Sequence, residues 1–263
     1  MRKLITAFAL LAFLPPALAW SQDKDKDEES EEKKPDAPKV AGFLDIANTE
    51  DGSYPGGATA VRGKWSVEKE AKKLRLLPEP LIDGWLEFGP EIREKAATIQ
   101  VSVRAPTERR IQSQMGLGLF GKNGFQLRAV VVNDEIELRR RGAVLATKEF
   151  PLDSETLYRM ELNVVEESED SENWIVTGRI WKDGEDRPEK PMIQHKAWGD
   201  ELLFPLAGRP VIEAISYSGT AVTYASAKAW YGPEPEMEKE EERDEEKEKA
   251  EEEGSGGEES ADE

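Results

Sequence analysis

The stretch that decides the fold lies near the middle of the chain, where residues 97–104 read ATIQVSVR. In an extended strand Ile99, Val101 and Val103 share one face and the polar residues between them share the other, because side chains alternate with a period of two. The same alternation recurs over residues 125–131, 135–140, 158–165, 174–181, 211–217 and 221–230. The pattern predicts half-buried β-strands rather than helices.

Short polar connections separate these segments. The sequences at 121–124 (GKNG), 132–135 (VNDE) and 141–142 (RG) are typical of tight turns between paired strands. One region allows two interpretations, a helix over 68–75 or a strand over 72–77. About a dozen short strands at this spacing predict an all-β fold, either a two-sheet antiparallel sandwich or a closed barrel.

The first part of the chain has a different composition. Residues 1–19 contain Arg2 and Lys3, an apolar run over 4–14 and the small residues Ala17 and Ala19 at a cleavage position, as in a secretory signal peptide. The apolar run is about half of the ~20 residues that span a bilayer, so we expect cleavage and no membrane span. The mature protein is then periplasmic or extracellular. Without cysteine it forms neither a disulfide nor a lipid thioether.

Acidic segments flank the expected domain. The net charge is −19, and residues 233–263 hold 17 acidic and 4 basic residues. This tail and the charged linker 20–39 are predicted to be disordered, because they have too little apolar surface to offset the entropy of folding. The folded domain is therefore expected over 40–232. It is only mildly acidic, and nucleic acid is not an expected partner because that needs a concentrated basic face.

Several short motifs follow one another in a recognisable order. They are 63–67 (GKWSV), 116–120 (GLGLF) leading into 125–127, 157–162 (LYRMEL), 174–181 (WIVTGRIW), and 208–211 (GRPV) with the hairpin that ends at 229. This order resembles the concanavalin A-like lectin/glucanase superfamily, in particular exported bacterial modules grouped with laminin-G-like and 3-keto-disaccharide hydrolase domains. The resemblance covers most of the domain. It implies a jelly-roll sandwich in which a concave sheet binds glycans.

Candidate catalytic residues are few. Within that superfamily, retaining glycosidases need two carboxyl groups about 5–5.5 Å apart. The nearest sequences are 134–137 (DEIE) and 167–172 (ESEDSE), but the first continues into arginines and the second is a polar loop. His195 is the only histidine, which is a poor basis for a triad or a zinc site. We therefore predict no catalytic residue.

No metal or cofactor is predicted. Four residues with oxygen ligands suitable for calcium lie close together near the start of the domain, namely Asp45, Asn48, Glu50 and Asp51. Their spacing matches no established calcium loop, and an ordinary acidic turn is the better interpretation.

A candidate binding face follows from the strand register. It lies opposite the residues expected in the core, which are Ile99, Leu127, Ile136, Leu138 and Ile180. Arginine, amide and carboxylate groups beside an indole can bind sugar hydroxyls and the CH face of a sugar ring. The alternative is an ordinary solvated sheet surface. The candidate ligand-binding residues are Gln100, Arg104, Gln126, Arg128, Glu137, Arg139, Glu161, Asn163, Arg179 and Trp181.

Trp181 is the only aromatic residue that this register turns toward water. Four other tryptophans are expected in the core, namely Trp65, Trp85, Trp174 and Trp230. Arginines are frequent between residues 104 and 141, and this positive bias suits an anionic glycan or the protein's own acidic tail.

Three functions are compatible with these features. The first is a non-catalytic module that binds a carbohydrate or an envelope protein through the polar face of the sandwich. The second is a glycan-active hydrolase, which only the resemblance implies. The third is a structural envelope protein whose acidic segments bind cations or basic partners. The absence of a recognisable catalytic motif favours the first.

Overall fold

The structure is a computed structural model. It describes residues 38–79, 83–105, 113–153, 156–168, 171–199, 202, 206–216 and 221–232. The expected signal peptide, nearly all of the linker 20–39 and the acidic tail lie outside the described residues. No helix within the described ranges is long and apolar enough to cross a membrane.

Strands dominate the described part of the chain. They are β1 Lys39–Phe43, β2 Thr59–Arg62, β3 Trp65–Glu68, β4 Lys73–Leu76, β5 Asp83–Glu87, β6 Ala96–Arg104, β7 Gln114–Leu119, β8 Phe125–Val130, β9 Glu135–Arg140, β10 Ala143–Glu149, β11 Tyr158–Glu166, β12 Trp174–Lys182, β13 Ile193–Ala197, β14 Val211–Ile215 and β15 Val222–Tyr231. Two single 3-10 turns, Gly121–Asn123 and Val131–Asn133, occupy two of the predicted connections. The all-β prediction is confirmed, and the ambiguous region near residue 72 is a strand.

The strands form two antiparallel sheets. An eight-stranded sheet has the order β13-β12-β11-β6-β15-β4-β3, with β1 also paired to β15. A seven-stranded sheet has the order β10-β9-β8-β7-β14-β5-β2. The expected two-sheet jelly-roll sandwich is therefore confirmed, and the alternative of a closed barrel is wrong.

The core lies between the inner faces of the two sheets. The five residues expected to face it, Ile99, Leu127, Ile136, Leu138 and Ile180, are each at most 1% exposed. The sheets approach closely at Gly178 of β12, where an added Cβ would lie 2.8 Å from Leu127 Cδ1 of the opposite sheet. Close packing of this kind leaves no room for solvent between the sheets.

The tryptophans are distributed differently from the prediction. Trp65 belongs to the core cluster and Trp174 packs against it, whereas Trp85 and Trp230 are buried outside that cluster. Trp181 is only 4% exposed, so the expectation that it turns toward water is wrong. The reason is that the outer face of the sheet around Trp181 is covered rather than solvated, as its polar neighbours show below.

Candidate functional site

The ten candidate residues lie on two different outer faces. Four belong to the seven-stranded sheet, namely Gln126, Arg128, Glu137 and Arg139. The other six belong to the eight-stranded sheet and are Gln100, Arg104, Glu161, Asn163, Arg179 and Trp181. Because the two sheets pack through their inner faces, these sets lie on opposite sides of the sandwich and cannot form one site.

A buried ion-pair cluster covers strands β11 and β12 of the eight-stranded sheet. Glu161 accepts hydrogen bonds from Arg179 Nη1 at 2.8 Å and from Arg187 Nε and Nη2 at 2.9 and 2.6 Å. Arg179 also donates to the carbonyl oxygens of Pro188 and Glu189, which holds the segment after β12 over the sheet. Burial lowers the pKa of the Arg179 guanidinium, while the charge of Glu161 opposes that shift. The charges of this cluster are satisfied internally.

The remaining polar residues of this face differ in their surroundings, and Gln100 Nε2 lies 3.5 Å from Glu161 Oε2. Asn163 Nδ2 donates to Thr98 Oγ1 at 2.8 Å. Arg104 borders a small cavity of about 80 Å³ together with Lys73 and Thr223. The arrangement indicates a structural network on the eight-stranded sheet rather than an open binding surface.

A row of residues, most of them charged, crosses the outer face of the seven-stranded sheet. Adjacent register positions on six neighbouring strands carry Arg62, Trp85, Glu213, Gly116, Arg128 and Glu137. Alternation places all of them on one side, since the residues between them face the core. This row brings an indole, two carboxylates and two guanidinium groups onto one surface.

Arg128 and Glu213 form the centre of this row. Arg128 Nε lies 3.0 Å from Glu213 Oε1 and Nη2 lies 2.8 Å from Oε2, which is a bidentate pair. Arg128 Nη1 donates to Gln114 Oε1 at 3.1 Å, and Nη2 lies 3.6 Å from Asp83 Oδ2. Burial acts against the charge of Arg128, but the carboxylates of Glu213 and Asp83 outweigh it and raise the guanidinium pKa.

Two glycines of β7 make room for these side chains. A Cβ added at Gly116 would lie 2.9 Å from Glu213 Oε1, and one at Gly118 would lie 3.1 Å from Gln126 Cγ. Below the row, the buried Tyr224 hydroxyl of the opposite sheet donates to the carbonyl of Glu213 at 2.6 Å. Burial raises the pKa of that hydroxyl and keeps it a donor. The sheet surface is therefore supported from inside the core.

Two neighbouring cavities open on this face. The Trp85 cavity has a volume of about 250 Å³ and is lined by Arg62, Asp83, Trp85, Lys122, Gln126, Arg128, Arg139, Arg141, Gly142 and Glu213. The Phe120 cavity has a volume of about 460 Å³ and is lined by Glu87, Glu91, Phe120, Gly121, Lys122, Asn123, Ala207, Gly208 and Arg209. Lys122 borders both, and Trp85 Nε1 lies 3.3 Å from Glu87 Oε1, so the two cavities adjoin.

Sequence reasoning identified part of the Trp85 cavity. Gln126, Arg128 and Arg139 line it, and Glu137 lies beside it, 3.5 Å from Arg139. The residues that were missed are Arg62, Asp83, Trp85, Lys122, Arg141 and Glu213. Glu213 had a visible signal, because it is the one carboxylate in an otherwise apolar strand, VIEAI. Trp85 had none that distinguishes it from a core tryptophan.

The acidic groups considered for calcium or catalysis have local partners. Asp45 accepts from Asn48 Nδ2 at 2.9 Å, and Asp51 accepts from the backbone amide of Lys69 at 3.0 Å. Within the described ranges no group of three or more His, Cys, Asp or Glu residues could hold a metal ion. His195 is half-buried on the edge strand β13.

The acidic sequences 134–137 and 167–172 are likewise held by neighbours. Glu135 Oε1 accepts from Asn133, and Glu137 pairs with Arg139. In the second segment Glu167 binds Lys196 and accepts from Asn173, while residues 169 and 170 lie outside the described residues.

The fold has known counterparts among solved structures. A Bacillus subtilis protein of unknown function with a galectin-like fold aligns with a TM-score of 0.52 at 12% identity, over 76% of this chain and 98% of that one. The potassium-bound carbohydrate recognition domain of Emp46p aligns with a TM-score of 0.51 at 15% identity, over 72% of this chain and 95% of that one. The carbohydrate recognition domain of Emp47p aligns with a TM-score of 0.50 at 11% identity, over 74% of this chain and 97% of that one.

These likenesses concern the fold. The chain has the concanavalin A-like lectin/glucanase fold, as the resemblance implied. The Emp46p domain also has a metal-free form with the same similarity, a TM-score of 0.51. No protein-family model and no curated protein matches the chain.

Proposed function

We propose that this protein is an exported, non-catalytic carbohydrate-binding module, and that it binds glycans through the outer face of the seven-stranded sheet. The observation that carries the proposal is the Trp85 cavity, where one indole and several hydrogen-bonding groups surround a concave space. Export is supported by the signal-like sequence 1–19. The structural neighbours named as carbohydrate recognition domains support a glycan as the ligand.

The chemistry of the cavity suits a sugar. Trp85 borders the cavity, although it is only 7% exposed and Arg62 lies over its ring, and Gln126, whose Nε2 donates to the Gly124 carbonyl, keeps its amide oxygen as an acceptor. Asp83 Oδ1 is buried and accepts no hydrogen bond from any described residue. A buried acceptor without a partner costs about 1–3 kcal/mol, so this carboxylate is stabilised mainly through its other oxygen, which lies 3.6 Å from Arg128. The lining is mostly charged or polar, with Trp85 as its one aromatic group, so hydrogen bonds rather than apolar burial would supply most of the recognition.

The carboxylates of the cavity argue for binding rather than hydrolysis. Glycosidases use one carboxyl group to protonate the leaving group and a second to attack or to activate water. Here both oxygens of Glu213 accept hydrogen bonds from Arg128, and Asp83 lies against the same guanidinium. This arrangement fixes the carboxylates in place and supports a positioning role for Glu213.

Replacing Trp85 by alanine is expected to weaken glycan binding about tenfold or more, because truncating a central aromatic residue of an interface typically costs about 2 kcal/mol or more. Full-length protein is first screened on an array of neutral and acidic oligosaccharides, and the best ligand is then titrated calorimetrically. Trp198→Ala is the matched control, since Trp198 is 49% exposed and follows β13 at the edge of the other sheet.

The control should keep its affinity within about twofold. Circular dichroism of both variants checks that the fold is retained. Absence of binding to every glycan on the array, or equal losses in the two variants, would show that the proposed surface is wrong.

A further inference from the structure

The Trp85 cavity carries an excess of positive charge. Its lining contains five cationic side chains and two carboxylates, Asp83 and Glu213. The chain as a whole has a net charge of −19, so this excess is a local feature and not a consequence of composition. Low-dielectric walls concentrate the field of such a cluster and attract ligands of the opposite charge.

The positive charge is separated into a floor and a rim. On the floor, Arg128 is neutralised by its bidentate pair with Glu213 and by the nearby Asp83. The rim holds four further cations, which are Arg62, Lys122, Arg139 and Arg141. Since the two carboxylates are already engaged by Arg128, the net charge facing the cavity comes from the rim.

The rim cations differ in how strongly they are compensated. Arg62 lies 3.7 Å from Asp83 and over the Trp85 ring, 5.8 Å from its centroid. Arg139 Nη2 donates to the carbonyl of Gly142 at 3.0 Å, and its Nη1 lies 3.5 Å from Glu137. Among the described residues, no ion pair or side-chain hydrogen bond neutralises Lys122, which is exposed. Lys122 is therefore the cation most available to a ligand.

The backbone holds Arg141 at the rim in an unfavourable conformation. The hairpin between β9 and β10 has a two-residue loop in which Arg141 has φ 51° and Gly142 has φ 84°. Such loops favour Asn or Asp at the first position, because positive φ is strained for a long side chain. An arginine at this position gives up some turn stability and adds a cation at the mouth of the cavity.

On the opposite side of the sandwich, the two arginines beside Glu161 are engaged within the protein. There Arg179 and Arg187 both bind Glu161 and are largely buried, with 9% and 14% side-chain exposure. Their charge is used within the protein. The rim of the Trp85 cavity differs from this cluster, because Lys122 is exposed there.

We propose that the Trp85 cavity selects acidic sugars, with Lys122, Arg139 and Arg141 binding a carboxylate or sulfate group of the glycan while Trp85 contacts the ring. This inference rests on the proposed function and specifies its ligand class. Charged hydrogen bonds to an anion are roughly twice as strong as neutral ones, and they weaken as salt increases.

The test compares ligands that differ only or mainly in charge. Full-length protein is titrated with tetragalacturonic acid and its methyl ester, and with neocarratetraose sulfate and its desulfated form. At least one acidic oligosaccharide should bind about tenfold or more tightly than its neutral partner, a difference of about 1.4 kcal/mol. The carboxylate and sulfate pairs show which anion the rim prefers.

Variants locate the effect at the rim. Lys122→Gln and Arg139→Gln should each weaken binding of the acidic oligosaccharide about tenfold and change binding of the neutral partner less than about twofold. Arg159→Gln is the control, because Arg159 lies on the other sheet, 44% exposed and paired with Asp183. Its affinities should not change.

Three outcomes would overturn the inference. Equal binding of acidic and neutral oligosaccharides, lost in Trp85→Ala, rejects acid selection and leaves the proposed function intact. No binding of any glycan rejects both proposals. Poly-glutamate that binds more tightly than all four oligosaccharides, and is weakened by Lys122→Gln and Arg139→Gln, identifies an acidic polypeptide as the partner instead.

Discussion

Glu213→Leu is expected to destabilise the protein by about 3–5 kcal/mol, because removing one member of a buried ion pair leaves the other charge uncompensated. The Glu213 side chain is 2% exposed and that of Arg128 is 11% exposed, so water from the adjoining cavity replaces the lost partner only in part. Asp83, at 3.6 Å from Arg128, offsets only part of the loss. Urea unfolding at neutral pH, followed by tryptophan fluorescence, measures the change.

The double variant Arg128→Met/Glu213→Leu is the control for this prediction. Replacing both members of a buried pair by apolar residues of similar size is often neutral or stabilising. We therefore expect the double variant to be more stable than either single variant. If the two single losses simply add, the residues are not coupled and the structural account of the cavity floor is wrong.

Glu161→Leu is the second change with a large expected effect. It leaves Arg179 and Arg187 buried side by side without their carboxylate, and a loss of about 3–5 kcal/mol in the free energy of unfolding is expected. The rate of amide hydrogen exchange should also increase in residues 183–191. Arg187 and the hydrogen bonds from Arg179 to backbone carbonyls hold this segment on the sheet.

The matched control is Asn163→Ala on the same sheet face. It removes one hydrogen bond to Thr98 and should cost only about 1 kcal/mol. The folded fraction of Glu161→Leu should retain its glycan affinity, because Glu161 lies on the eight-stranded sheet. A loss of affinity as large as that of Trp85→Ala would contradict the division of the candidate residues between two faces.

The sequence was informative about strands and about which side of a strand faces the core. Alternation is a local property, and it identified Ile99 and Leu127 as core residues and most strand boundaries within a few residues. The order of motifs also indicated the fold. These features depend on neighbours in the chain, which a single sequence displays directly.

The local alternation of residues could not show which strands belong to which sheet. Gln100 and Gln126 both alternate with buried residues, yet they lie on opposite sides of the sandwich because β6 and β8 belong to different sheets. Arg128 and Glu213 meet across 85 residues of sequence, and no local spacing relates them. The candidate list therefore combined two surfaces.

The prediction that Trp181 is exposed was wrong for a related reason. The register places Trp181 on an outer face, but the polar residues beside it are covered by the segment that follows β12. Trp85 lies on the outer face of the other sheet and is only 7% exposed, but it lines a cavity. Whether an outward side chain meets water depends on loops elsewhere in the fold.

A nuclear magnetic resonance titration of full-length protein with the best array glycan tests the central claim most directly, because each tryptophan indole N–H gives its own signal. The account predicts that the Trp85 signal, assigned with Trp85→Phe, shifts with ligand while those of Trp181 and Trp198 stay in place. A Trp85 signal that does not move, with shifts confined to Trp181 or Trp198, would contradict it.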